Sequence, residues 1–240
     1  MYTDILTFWF DEIDSKMWWV SDPEFDNLIQ SRFLSTLESA AKGEHYEWRT
    51  TSKGRLAEII VLDQFSRNVY RNTAQAFSQD PTALILSQEA ISNGALSDLS
   101  PTERSFLLLP FMHSESKKIH TEAEKLYKEH ASKGNYEFEL KHKVIIDRFG
   151  RYPHRNEILG RDSTPEEIEF LNQEGVNETL VAFRDLLSEL DTFTAADIKP
   201  LIKETGKIAG SKGKMLYMPL RIATTASMHG PDLPQVLALL

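Results

Sequence analysis

The chain has 240 residues, 41% apolar and 26% charged, enough for one large or two modest domains that each bury a core. A formal net charge of −9 argues against a general nucleic-acid binder, and the lack of any cysteine excludes disulfides and thiolate-held metal. No window of 18 or more apolar residues exists that could cross a membrane as a helix, so no membrane partner is expected. The N-terminus, MYTDILTFWFDE, is acidic and lacks a basic leader, so it reads as a first helix of an unexported, cytoplasmic protein.

Asp22-Pro23 opens the next predicted helix, a capping carboxylate followed by a proline at the first turn. Phe25, Leu28, Ile29, Leu37 and Ala41 recur near helical spacing, and Gly43 stops it. Leu56, Ile59, Ile60 and Asp63 predict a second strong helix, and Asp80-Pro81 caps a third that runs to Gly94. Ser100-Pro-Thr-Glu103 is a capping box ahead of FLLLPF, whose Pro110 ends or kinks the helix. Ser163-Thr-Pro-Glu166 predicts another short helix, and Thr194-Ala-Ala-Asp197 one more. No stretch alternates convincingly between two turns, so the predicted class is all-α. Asn172-Gln-Glu-Gly175 is a polar break that predicts two domains, residues 1–175 and 176–240. No cofactor motif is found.

Three polar clusters interrupt the apolar helices of the first part. LDQFSRNVYR (62–71) spaces Asp63, Arg67 and Arg71 at i, i+4 and i+8, one face of a helix that holds that far. PFMHSES (110–116) places His113 and Glu115 just after the proline, and HKVIIDRFGRYPHRNEILGR (142–161) carries His142, Asp147, Arg148, Arg151, His154, Arg155 and Arg161. Guanidinium groups beside apolar helices need carboxylates, carbonyls or an outside anion. Two readings stay open. One is an ion-pair lattice in which Asp63, Glu115 and Asp147 tie Arg67, Arg71, Arg148 and Arg155. The other is an anion- or peptide-binding groove formed by Asp63, Arg67, Arg71, His113, Glu115, His142, Arg148, Arg151, His154 and Arg155. A metal held by His113, Glu115, His142 and His154 is a weaker reading, because no HExxH spacing is present and the arginines would repel a dication.

With FWF at 8–10, these clusters resemble, in order, the motifs of a family known as domain of unknown function 924, over about residues 3–172. The resemblance implies a multi-helical fold similar to tetratricopeptide superhelices and implies no reaction.

The end of the chain differs. Between Lys199 and Arg221 stand six basic residues and one acidic, Glu204. KETGKIAGSKGKMLYMPLRIATTASMHGPDLP resembles the last part of the anticodon-binding region of bacterial glutamyl-tRNA synthetases, over about residues 193–240. By that resemblance Arg221 faces anticodon bases, Gly230, Pro231 and Leu233 form a turn packed against them, and Lys212 and Lys214 belong to the turn ahead of the helix. Single-stranded loops permit such contacts, since splayed bases expose their edges to a guanidinium fork. Where the family has a glycine this chain reads Ala223-Thr-Thr-Ala226, and no HIGH-like or KMSKS-like motif of a synthetase catalytic domain occurs. The combined reading is a helical ligand- or partner-binding protein without aminoacylation activity, its candidate partners tRNA and a small anion or peptide. The alternative is an enzyme acting on a small anionic substrate, with His113, His142 or His154 as general acid or base.

Overall fold

The computed structural model describes residues 1–188, 190, 194–225 and 232–238; the side chains of residues 173, 174, 177, 214, 215, 218, 222, 225 and 236 lie outside the description. All regular structure among the described residues is helical. The chain divides into two compact units, Met1–Arg161 and Asp162–Leu240. None of the described helices is long and apolar enough to cross a membrane.

The first unit begins with α1 (Tyr2–Thr7), which widens into a π-helical turn at Phe8–Glu12. A 3-10 turn, Ser15–Trp19, folds back so that the Trp18 indole N–H donates to the Trp9 carbonyl at 2.9 Å. Of the adjacent tryptophans, Trp19 is the exposed one, as a shared short turn requires. Helix α2 (Pro23–Ala41) has the expected start, with the Asp22 carboxylate accepting from Glu24 and Phe25 N–H. Its buried residues Phe25, Ile29, Phe33 and Leu37 fall every four positions, which lays one apolar stripe on the core.

At the centre runs α3 (Ser52–Ile60), then a π-helical turn at Val61–Phe65, then α4 (Ser66–Val69). Leu56, Ala57, Ile59, Ile60, Val61, Leu62 and Phe65 are all fully buried, so this helix is covered on every side. It packs against α1, α2, α5 (Asp80–Ser92) and α7 (Pro101–Met112), with the short α6 (Ala95–Asp98) between the last two. Phe8, Trp9, Phe33, Phe65 and Phe106 make the aromatic heart, with Trp9 edge-on to Phe65 at 5.5 Å and to Phe106 at 5.7 Å. The capping box of α7 forms as its sequence predicts, between Ser100 and Glu103, and Pro110 lies two residues from the helix end. Helices α8 (Lys117–His130) and α9 (Lys133–Phe149) pair with each other and complete the unit.

The second unit opens with α10 (Pro165–Leu187), started by a capping box between Thr164 and Glu167. This helix runs without interruption through Asn172–Gly175. The compact units therefore part at Arg161, earlier than the expected 175. A polar stretch within a well-capped helix carries no turn signal of its own, and a single glycine costs a helix only about 1 kcal/mol. Helix α11 (Ala195–Ile208) begins at the predicted Thr194–Asp197 box, and α12 (Lys214–Thr225) and α13 (Leu233–Leu237) follow. Phe183, Ile198, Leu201, Ile202, Leu216, Leu220, Leu233 and Leu237 form a separate core.

Candidate functional site

The polar residues of the first unit meet where the C-terminus of α7, the N-terminus of α5 and the 153–161 segment converge. Asp63, in the second π-helical turn, is buried and accepts from two partners: His113 Nδ1 at 2.7 Å and Arg67 Nη1 at 3.2 Å. Burial pushes its carboxyl up, but the charge of Arg67 and the hydrogen bonds from His113 and Gln64 outweigh that and hold it well below the usual carboxylate range. An ionised carboxylate can only accept, so the Nδ1 of His113 carries the proton. Burial, reinforced by Arg67, pushes the His113 imidazole down despite Asp63. The ring is thus neutral at neutral pH, with Nε2 as its lone-pair nitrogen, and no partner for Nε2 occurs among the described residues.

Arg67 reaches on to Asp80, 2.9 Å away, and Asp80 also takes Arg155 Nη1 at 3.1 Å. The Arg155 guanidinium lies 4.6 Å from the ring centres of both Phe77 and Tyr152. Glu115 is engaged separately: Arg161 grips it at 2.6 and 3.0 Å, and the Tyr152 N–H donates to it at 2.8 Å. His113, Asp80, Glu115 and Arg155 border a cavity of about 390 Å³ with Phe77 and Leu84 on its apolar side.

Of the ten groove residues expected from sequence, the structure brings together Asp63, Arg67, His113, Glu115 and Arg155. Arg71 lies past the end of α4 at Val69, so the i, i+4, i+8 row stops at Arg67; Arg71 pairs instead with Asp26 at 2.5 Å. His142 donates to the Phe138 carbonyl of its own helix at 2.8 Å and stands edge-on to Tyr152, away from the cavity. Arg148 and His154 are exposed, Arg151 is half-buried, and none of the three lines the cavity. Asp147 pairs with Lys143, not with an arginine. The expected lattice therefore exists with other partners, and Asp26, Asp80 and Arg161 are its unforeseen members. Asp80 reads as a helix cap in sequence; in the structure it is the first residue of α5, which frees its carboxylate for Arg67 and Arg155. Among the described residues no group of three His, Asp or Glu side chains could hold a metal ion, because Asp63 and Arg161 already engage His113 and Glu115.

In the second unit, Ile198, Leu201, Ile202, Thr205 and Gly206 bury one face of α11. Lys199, Lys203 and Lys207, spaced i, i+4 and i+8, form an exposed row on another face. Lys207 is partly engaged by Glu204 at 2.7 Å. Lys212 is exposed and Arg221 is half-buried on α12. Leu233, expected at the RNA, is buried in the core with Phe183 and Ile198, the more favourable place for an apolar side chain. Gly230, Pro231 and the Lys214 side chain lie outside the described residues.

These elements define an all-α protein of two helical units, one with a histidine–arginine cavity and one with a row of exposed lysines. The chain belongs to a family of bacterial proteins of unknown function (DUF924), whose profile matches residues 5–175. A profile described as an anticodon binding domain matches residues 157–240. A solved structure of a protein of unknown function from Agrobacterium tumefaciens is 35% identical with a TM-score of 0.68, covering 72% of this chain and 97% of that one. The chain is similar over part of its length to the glutamate–tRNA ligase of Bacillus licheniformis, 51% identical over 70 residues. It is also similar to that of Staphylococcus xylosus, 45% identical over 84 residues. Those matches span 29% and 35% of this chain, and 14% and 67% of the respective ligase sequences.

Proposed function

We propose that the protein is a helical tRNA-binding protein that makes contact through its second unit and does not itself aminoacylate. The observation that carries this reading is the exposed Lys199–Lys203–Lys207 row, in the unit that the anticodon binding domain profile covers. Lysines at that spacing sit about 6 Å apart along a helix (1.5 Å per residue), close to the phosphate spacing of an extended strand. Each neutralised phosphate releases counterions, so this contact supplies affinity that falls with salt. Arg221, on the neighbouring α12, supplies base contact through its planar fork.

The test is tRNA binding by the full chain at low and moderate salt, beside Arg221→Ala and a Lys199/Lys203/Lys207→Gln triple variant. The parent should bind tRNA with affinity that drops steeply as salt rises. The triple variant should flatten the slope of log K against log salt by about 2, at roughly 0.7 per phosphate contact. Arg221→Ala should weaken binding with little change in slope. No tRNA binding, or binding unchanged in the triple variant, removes the reading.

A further inference from the structure

We propose that the cavity of the first unit binds a small oxyanion that also bears a hydroxyl: a short hydroxycarboxylate or a phosphate. Arg155 takes the charged oxygens, and the Nε2 of His113 accepts the hydroxyl hydrogen. This inference rests on the first unit alone and is independent of the tRNA reading.

Size is the first argument. About 390 Å³ lies within the range of small-molecule sites and is too small for a macromolecular segment to enter deeply. The second is the state of the histidine. Asp63 uses its Nδ1 and fixes the tautomer, so the nitrogen left to a ligand is a pure acceptor. An acceptor in a partly apolar recess selects a ligand with a proton to donate, and disfavours one without.

The third argument is the unequal use of the charged groups. Arg67, Arg155 and Arg161 face Asp63, Asp80 and Glu115, so the cluster is neutral as a whole. Its hydrogen-bonding capacity is not balanced, however. Glu115 already receives three donors, and Asp80 is shared between two guanidinium groups. Arg155 is only 6% exposed, and among the described residues it makes one hydrogen bond, through Nη1, while its buried Nε has no partner. With Phe77 and Tyr152 against its ring-like plane, only the edge of the guanidinium remains to offer donors. An edge of parallel N–H groups matches a carboxylate or phosphate. A cationic ligand gains nothing there, because the carboxylates are already engaged.

The experiment follows the His113 imidazole nitrogens by NMR in the full-length protein during titration with glycolate, acetate and inorganic phosphate. Glycolate and phosphate should shift the Nε2 resonance saturably, and acetate, which lacks a donor, should bind about tenfold more weakly, the worth of one good hydrogen bond. His113→Asn keeps an N–H for Asp63 but removes the second nitrogen. Calorimetry on it should show glycolate binding no better than acetate. Ala74→Trp places a large ring at an exposed position of the cavity rim and should abolish binding of all three probes while thermal melting is unchanged. No saturable shift with glycolate or phosphate overturns the site, and full binding by Ala74→Trp overturns its location. Equal affinity for acetate and glycolate in the parent overturns the role given to His113.

Discussion

At the scale of single residues, Asp63 joins a buried guanidinium and a buried imidazole, so removing it should be costly far beyond the loss of one contact. Asp63→Ala leaves Arg67 with Asp80 and the residue 63 backbone carbonyl, and takes from the His113 Nδ1–H its carboxylate acceptor. Breaking a buried pair from one side costs about 3–5 kcal/mol, and urea denaturation should show a loss of that order. A loss under about 1 kcal/mol would mean the pair is no better than a surface ion pair. The sequence made half of this network legible. Asp63, Arg67, His113, Glu115 and Arg155 stand out because charged residues punctuate apolar runs. Asp80 did not, because an Asp-Pro dipeptide carries a strong helix-start signal that masks any second role. Arg161 was noted but its partner was not, since pairing with Glu115 is set by tertiary packing and not by spacing.

At the scale of elements, caps were read more reliably than lengths. Asp22, Ser100 and Thr194 start helices as expected, because a cap is a local hydrogen bond written in adjacent residues. The helix after Thr164 was expected to be short and is 23 residues long, since its continuation depends on burial against α11 and α12. Gly54 gives a test of element packing. A methyl group there would meet the Trp48 carbonyl oxygen at 2.0 Å, where the 3-10 turn Tyr46–Thr50 passes α3. Helix propensity favours Ala over Gly by about 1 kcal/mol, but backbone cannot swing aside as a side chain can. Gly54→Ala should therefore destabilise by at least about 2 kcal/mol. Gly134→Ala, on α9 with only Ser132 Oγ at 4.0 Å, should leave the melting temperature equal or slightly raised. Equal melting of the two variants would show that the contact yields.

At the scale of the whole molecule, charge and protons set the behaviour. From Val176 onward basic and acidic residues balance, so the net −9 resides ahead of it, and the nucleic-acid contact proposed above would fall on a local row of lysines in an acidic chain. Burial pushes His113 down, and it pushes His142 down to about 4. Their unfolded values lie near 6.5, so below that pH the unfolded chain takes up protons that the folded chain refuses. Stability is then fully present above about 6.5 and is lost as pH falls through it towards about 4. His154, also pushed down to about 4, is exposed and contributes least. Melting temperatures should fall between pH 7 and pH 4 (both approximate, bracketing those values), and less steeply in His142→Gln. A flat profile would contradict the burial of these rings. The all-α class was legible because periodic apolar residues and caps agree along the chain. The superhelical arrangement rests on resemblance alone, because the way helices stack depends on contacts far apart in sequence.

The π-helical turn at Val61–Phe65 has a genetic corollary. Such a turn is an α-helix carrying one extra residue, so the central helix reads as one α-helix widened at a single inserted codon. Deleting one codon there would leave an unbroken reading frame and an unbroken helix. Because four residues of α-helix turn about as far as five of π-helix, everything after it would keep its present face, Arg67 included, and only the widened turn that holds Asp63 would be lost.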